Sequence, residues 1–292
     1  MIGVIGGSGV YTVEGLSDST WTRVISPFGE PSDLVLTGTL NGVEVAFLPR
    51  HGRGHKISPS GVNYQANIDA LKRVGVTDLI SISAVGSLRD ELAPGTFVIV
   101  DQFIDRTYAR EKTFFSEGCV AHVSMAKPVC HRLGDHLQAA AKALSLDFVR
   151  GGTYLVMEGP QFSSKAESEL YRQWGCDVIG MTNMPEAKLA REAEICYASV
   201  AMVTDFDCWH PDHDHVTIDQ IISVVAQNSE KARSLIAKTI PFAAADQHGL
   251  SCACKRALDN AIVTPESARA PELLDKLDAV AGRVLTSSSA NE

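Results

Sequence analysis

Tyr197-Ala-Ser-Val-Ala-Met-Val203, followed at once by Thr204-Asp205-Phe206-Asp207-Cys208-Trp209, is the stretch on which the fold turns. Its first half is a short apolar run, the pattern of a strand covered on both faces. Such strands belong to parallel sheets, whose ligands bind at the C-terminal strand ends. Residues two apart on an extended strand point the same way, so Asp205 and Asp207 are expected to face one ligand together. Like charges held close in a dry cleft keep one carboxyl protonated near neutral pH. An acid beside a base suits one edge of a planar heterocycle that carries an acceptor and a donor. The alternative is a solvated turn, where Asp is common.

The rest of the chain repeats the alternation of short β runs with amphipathic helices. Strands are expected at Ile2–Ile5, Val43–Leu48, Asp78–Ala84, Phe97–Val100, Gly152–Met157, Asp177–Met181 and Tyr197–Thr204. Helical spacing joins Val62, Ala66, Ala70, Leu71 and Val74, and again Leu133, Leu137, Ala140, Ala141 and Leu144. Ser164-Lys-Ala-Glu167 and Thr217-Ile-Asp-Gln220 both match the capping box, and Pro185 suits the first turn of a helix running to about Glu194. The pattern predicts an α/β fold, a mostly parallel mixed twisted sheet flanked by helices. One domain is expected over 1–285, with 251–285 as a C-terminal helical extension and 286–292 a disordered tail.

Composition excludes several classes. The 292 residues carry a net charge of −9, which argues against a nucleic-acid partner. No 18-residue apolar run is present, so no membrane partner is expected. The start Met1-Ile-Gly-Val-Ile5 has no basic residues and turns to glycine, as a strand does rather than a signal peptide. Seven scattered cysteines fit reduced thiols of the cytoplasm.

Several clusters carry chemical content. Gly6-Gly7-Ser8-Gly9 can aim backbone N–H groups and a hydroxyl at an anion, although its spacing is not the dinucleotide fingerprint. Arg50-His51-Gly52-Arg53-Gly54-His55 offers a guanidinium fork and an imidazole donor to phosphate, with solvated loop charge as the alternative. Ser81-Ile-Ser83-Ala84-Val-Gly86-Ser87 can complete the same site, or simply mark close packing. In Glu158-Gly-Pro-Gln-Phe162-Ser163-Ser164, Phe162 is a core aromatic unless it stacks on a flat ligand. In Gly180-Met181-Thr182-Asn183, the threonine can hold phosphate and the methionine can underlie a sugar. His210-Pro-Asp-His213-Asp-His215 matches no zinc spacing and suits an exposed loop. Cys252-Ala-Cys254 lacks a second pair downstream, which leaves a redox or disulfide role or two buried thiols. No metal site is expected.

Pro49-Arg-His-Gly-Arg-Gly-His55, Asn63-Tyr-Gln-Ala-Asn67, Ala84-Val-Gly-Ser-Leu88, Asp101-Gln-Phe-Ile-Asp-Arg-Thr107, Glu158-Gly-Pro-Gln-Phe162, Met181-Thr182 and Asp205-Phe-Asp-Cys-Trp209 together resemble the S-methyl-5′-thioadenosine phosphorylases of the trimeric purine nucleoside phosphorylase superfamily. The likeness runs from about Met1 to Lys238. It implies the nucleoside phosphorylase fold and a homo-oligomer, a trimer or a hexamer of two trimers. Phosphate would bind at Ser8, Arg50, His51, Ser83, Ala84 and Thr182, and ribose would lie against Met181. The base would stack near Phe162 and Ser163 and meet Asp205 and Asp207. The methylthio group would fill an apolar pocket with Ile218 and Ile222, closed by His122 of a neighbouring subunit. No cofactor is implied, phosphate being a co-substrate.

The implied reaction gives adenine and S-methyl-5-thioribose 1-phosphate, with Asp205 protonating N7 of the purine and Asp207 accepting from its 6-amino group. A 6-oxopurine nucleoside or methylthioinosine phosphorylase would want an amide at 205 or 207 and a glutamate near Ser163, neither of which is present. A nucleoside-binding protein without turnover is the alternative from another class.

Overall fold

A long strand, β5 (Asp78–Ser87), organises the sheet. The structure, a computed structural model, describes residues 1–7, 13–211, 218–246 and 251–285, with side chains of the helix opening at 218 described from 224 onward. Ser8, Thr217, His213, His215 and the tail 286–292 therefore lie outside the described residues, as do the side chains of Ile218 and Ile222. One edge of β5 carries β1 (Ile2–Gly6) over Asp78–Ser81 and then β10 (Val178–Gly180) at Gly86 and Ser87. Its other edge runs parallel to β11 (Cys196–Asp205) along its length. Beyond β1 come β4 (Val43–Pro49), β3 (Val35–Leu40) and β2 (Leu16–Thr22). Beyond β10 come β9 (Thr153–Met157) and β7 (Gln102–Arg106), while β6 (Phe97–Val100) joins β11 to β8 (Phe148–Arg150). Parallel pairings outnumber antiparallel ones, as expected for a mixed sheet.

Alternation along the central strands feeds two apolar layers. Leu79 and Val85 of β5, with Tyr197, Ala201 and Val203 of β11, face one layer; Ile80, Ile82, Ala198, Val200 and Met202 face the other. The first layer is covered by α1 (Tyr64–Arg73), α4 (Asn183–Glu192) and α7 (Asp278–Leu285). The second is covered by α2 (His131–Ala143) and α5 (Ile218–Ala245). Each fully buried Leu, Ile or Val contributes about 1.5–3 kcal/mol relative to exposure, so this double burial dominates the stability.

The local signals act as the residues dictate. Ser164 and Glu167 form the reciprocal capping box that opens α3 (Lys165–Gln173). Pro185 begins the regular part of α4, because Met184 before it is extended. The segment after Ser251 holds α6 (Pro271–Lys276) and α7, and packs Leu258, Ala261, Leu277, Val280 and Ala281 into the first layer.

Candidate active site

The ends of β5, β10, β9, β11, β4 and β1 bring the sequence clusters together. Asp205 is the last residue of β11 and pairs with Gly86 of β5. An added Cβ at Gly86 would lie 3.0 Å from Asp205 Oδ1 and 3.3 Å from Asp207 Cβ, so glycine lets both acids close over the strand. The period-2 argument does not explain their meeting. Asp207 lies beyond the strand with φ +50, and its N–H donates to Asp205 Oδ1 at 2.8 Å. The acids therefore converge through a turn rather than through extended geometry. Trp209, whose Nε1 donates to Ser87 O, and Cys208, whose thiol donates to Ser163 O, pin the turn.

Burial pushes both carboxyls up. Asp207 reaches about 6, with the Asp205 charge adding to the burial and the nearby Ser168 hydroxyl opposing it. Asp205 accepts from Thr204 Oγ1 as well as from the Asp207 N–H, whereas Asp207 Oδ2 is buried without a partner. These hydrogen bonds place the shared proton better on Asp207, the reverse of the expected division.

Arg50 does not lie in an exposed loop. It is only 1% exposed and forms a two-pronged ion pair with Glu186 of α4, Nε to Oε2 at 2.7 Å and Nη2 to Oε1 at 3.0 Å. Nη2 also donates to Ser81 Oγ, and Nη1 to Ile82 O. Ser81 and Tyr197 donate to Glu186 Oε1 in turn. Of the five guanidinium N–H groups, one on Nη1 remains for a ligand. His51 donates Nδ1–H to Ile57 O at 2.9 Å. Burial and the Arg50 charge lower its pKa to about 4. It is therefore neutral near pH 7, and Nε2 is an acceptor rather than the expected donor.

A cluster of hydroxyls adjoins the buried ion pair. Thr182 stands at the N-cap of α4, where backbone N–H groups are free of helical partners, and its Oγ1 is buried with no hydrogen bond. Ser83 Oγ donates to Asn183 Oδ1 at 3.1 Å, and Ala84 follows it, exposed. Sequence reasoning missed Tyr154 on β9. Its OH is fully buried, lies close to the Ser83 and Thr182 hydroxyls, and has no partner. A Cβ at Gly180 would sit 2.1 Å from that oxygen, so the phenol occupies the space a side chain at 180 would need.

The loop after β9 closes another side. Glu158 accepts from Ser60 Oγ, from the backbone N–H groups of Tyr108 and Ala109, and from Arg110. Burial alone would raise this carboxyl, but these donors hold it at about 2. Arg110 donates on to Met181 O and Met184 O, tying this loop to the Met181–Thr182 turn. The Met181 side chain lies against Gly159, Ser163 is buried, and Phe162 is 48% exposed, open to stacking. His122 stands apart on an exposed segment, its N–H bonded to Ala261 O. A separate cavity of about 520 Å³, lined by residues that include Arg89, Asp90, Glu169 and Arg172, contains none of these residues.

Residues 1–241 match the family model of the phosphorylase superfamily. The chain is 63% identical to the S-methyl-5′-thioadenosine phosphorylase of Rhodospirillum rubrum, over 98% of its length and 97% of that protein. The chain belongs to the S-methyl-5′-thioadenosine phosphorylase family. Identity to the corresponding Cereibacter sphaeroides protein is also 63%, over 98% of each chain. A solved methylthioadenosine phosphorylase from an Antarctic soil metagenomic library matches with TM-score 0.90 at 48% identity, covering 96% of this chain and 98% of that one. The methylthioadenosine phosphorylase of Schistosoma mansoni in complex with adenine matches with TM-score 0.85 at 35% identity, over 90% and 98%.

Proposed function

We propose that the chain catalyses phosphorolysis of S-methyl-5′-thioadenosine to adenine and S-methyl-5-thio-α-D-ribose 1-phosphate. The observation that carries this reading is the pair of half-buried Asp205 and buried Asp207, across the strand ends from unpartnered hydroxyls beside Arg50. Phosphate oxygen attacks the anomeric carbon while the C–N9 bond breaks, and the departing electron pair is neutralised by a proton delivered to N7. Proton donation by a placed side chain is worth about 10²–10⁴ in rate, and in-line positioning of two substrates supplies much of the remainder. No protein nucleophile and no cofactor enters this scheme. Arg50 Nη1, Thr182, Ser83, Tyr154 and Ser8 hold phosphate, with Ala84 beside them. His51 Nε2 accepts from its P–OH. Phe162, Ser163 and Met181 contact base and ribose.

Tyr154→Phe separates this role from packing. Removal of an unsatisfied buried hydroxyl leaves stability unchanged or raised. Loss of a donor to an anion costs about 1.5–3 kcal/mol, so the phosphate KM is expected to rise about 10–100-fold. An unchanged phosphate KM excludes Tyr154 from the site.

The 5′ pocket is placed at Ile218 and Ile222, closed by His122 of a second subunit, in a trimer or hexamer working in the cytoplasm. The exposure of His122 supports the intersubunit role. Burying the methylthio group in place of a hydroxymethyl is worth about 1–2 kcal/mol, so kcat/KM for methylthioadenosine should exceed that for adenosine about 5–30-fold. The deciding assay incubates the protein with methylthioadenosine, adenosine, methylthioinosine and inosine, with and without phosphate. Phosphate-dependent release of adenine is expected. Release without phosphate, a preference for the inosines, or no turnover rejects the proposal, and a fully active monomer rejects its shared pocket.

A further inference from the structure

Four of the seven cysteines meet at one point, at the end of the sheet away from the proposed active site. Cys130 precedes α2, Cys196 opens β11, and Cys252 and Cys254 begin the segment that leads to α6. Their four sulfurs lie within 4.8 Å of one another, and Cys130, Cys196 and Cys254 are buried. The Cys252-Ala-Cys254 pair has no second pair downstream. The fold supplies one from upstream instead.

We propose that these four thiolates bind a structural zinc ion. Cys130 Sγ and Cys252 Sγ are 3.6 Å apart, too far for a disulfide bond of about 2.05 Å. Two sulfurs sharing one tetrahedral zinc at about 2.3 Å stand about 3.8 Å apart, so closing this cluster on a metal requires shifts of about 1 Å or less. A soft, all-sulfur donor set selects zinc over the hard cations.

The surroundings suit the charge. Zinc with four thiolates carries a net charge of −2, formed as four thiols release four protons. Arg132 lies against Cys196 and Cys252. Its Nη groups pair with Asp78 and Asp246, but its Nε–H is buried and has no partner. A buried guanidinium N–H without a partner, on a side chain that lies against Cys196 and Cys252, is accounted for when those sulfurs are thiolates on a metal. Lys255, next to Cys254 in the chain and paired with Asp78, and Arg191, whose charge acts on Cys254, add positive charge near the cluster.

The position makes the role structural. Cys196 and Asp205 stand at opposite ends of β11, about 30 Å apart at about 3.3 Å per residue, so the metal touches no substrate. It ties α2, β11 and the chain beyond residue 250 to one point.

The test reads metal content directly, on the full chain expressed in zinc-supplemented medium and purified with reductant and without chelator. Elemental mass spectrometry is expected to give close to one zinc per chain. Cobalt(II) added to the metal-stripped protein should produce thiolate charge-transfer absorption and the intense visible bands of a tetrahedral site. Cys252→Ser/Cys254→Ser should abolish both signals, while Cys119→Ser and Cys176→Ser, away from the cluster, keep them. A protein isolated without metal, or with disulfides among the four cysteines by intact mass, overturns the proposal. So do retained zinc in the double variant and an octahedral cobalt spectrum.

Discussion

Arg50→Ala is expected to destabilise the fold by about 3–5 kcal/mol, the cost of leaving one partner of a buried ion pair without the other. The partner is Glu186, which is fully buried and would keep only the hydroxyls of Ser81 and Tyr197. Ile82 O would lose its donor as well. The measurement is the denaturant midpoint, and a wild-type midpoint would show that the pair carries no structural weight. Because Arg50 also serves phosphate in the proposed site, kinetics of the alanine variant alone cannot separate the two roles. Arg50→Met/Glu186→Gln removes both charges while the Gln carbonyl still accepts from Ser81 and Tyr197. This variant should recover much of the stability. Its phosphate KM should stay raised about 10–100-fold, the worth of one charge-assisted hydrogen bond. Wild-type phosphate KM in the double variant would remove Arg50 from the phosphate site.

The central strands and their helices were legible because their signals are local. Alternation in β5 and β11, helical spacing in α1 and α2 and the Ser164–Glu167 cap act over a few residues. Leu16–Thr22 escaped because its middle, Ser17-Asp-Ser-Thr20, is exposed and polar, and only the hairpin with Val35–Leu40 makes it a strand. The short strands Gln102–Arg106 and Phe148–Arg150 lie at sheet edges and carry no sustained apolar period.

The candidate site divides along the same line. Arg50, Thr182 and the two acids were legible as residue types at strand ends. The burial of Arg50 was not, because Glu186 lies 136 residues away in the chain. Tyr154 gave no signal, since a tyrosine within an apolar strand reads as core. Only the approach of Gly180 across the sheet reveals an isolated hydroxyl there. The cysteine cluster failed for the same reason, its halves being joined by the fold alone.

Asp205→Ala is expected to lower kcat for methylthioadenosine by about 10²–10⁴-fold with little change in stability, whereas Asp207→Asn is expected to shift preference toward methylthioinosine. The acids are close and burial raises Asp207 to about 6, so around pH 6 the pair holds one proton and one negative charge. Adenine presents N7 as an acceptor and the 6-amino group as a donor, which matches that state. Hypoxanthine replaces the amino group by a carbonyl, and an ionised carboxylate facing it is repelled. An asparagine at 207 can turn its amide toward that carbonyl and relieve the mismatch. The hydrogen bonds to Asp205 favour the proton on Asp207, so a base bound at Asp205 must draw it across the pair. Both variants should therefore lose rate, Asp205→Ala the more. The pH profile provides a second readout. The neighbouring charge of Asp205 helps raise Asp207 to about 6. Removing it with Asp205→Asn should move the alkaline limb of the residual kcat/KM to lower pH, since the protonated state is then lost earlier. Wild-type rates, base preference and pH limbs in all three variants would reduce the pair to strand-end polarity and leave the leaving purine without an acid.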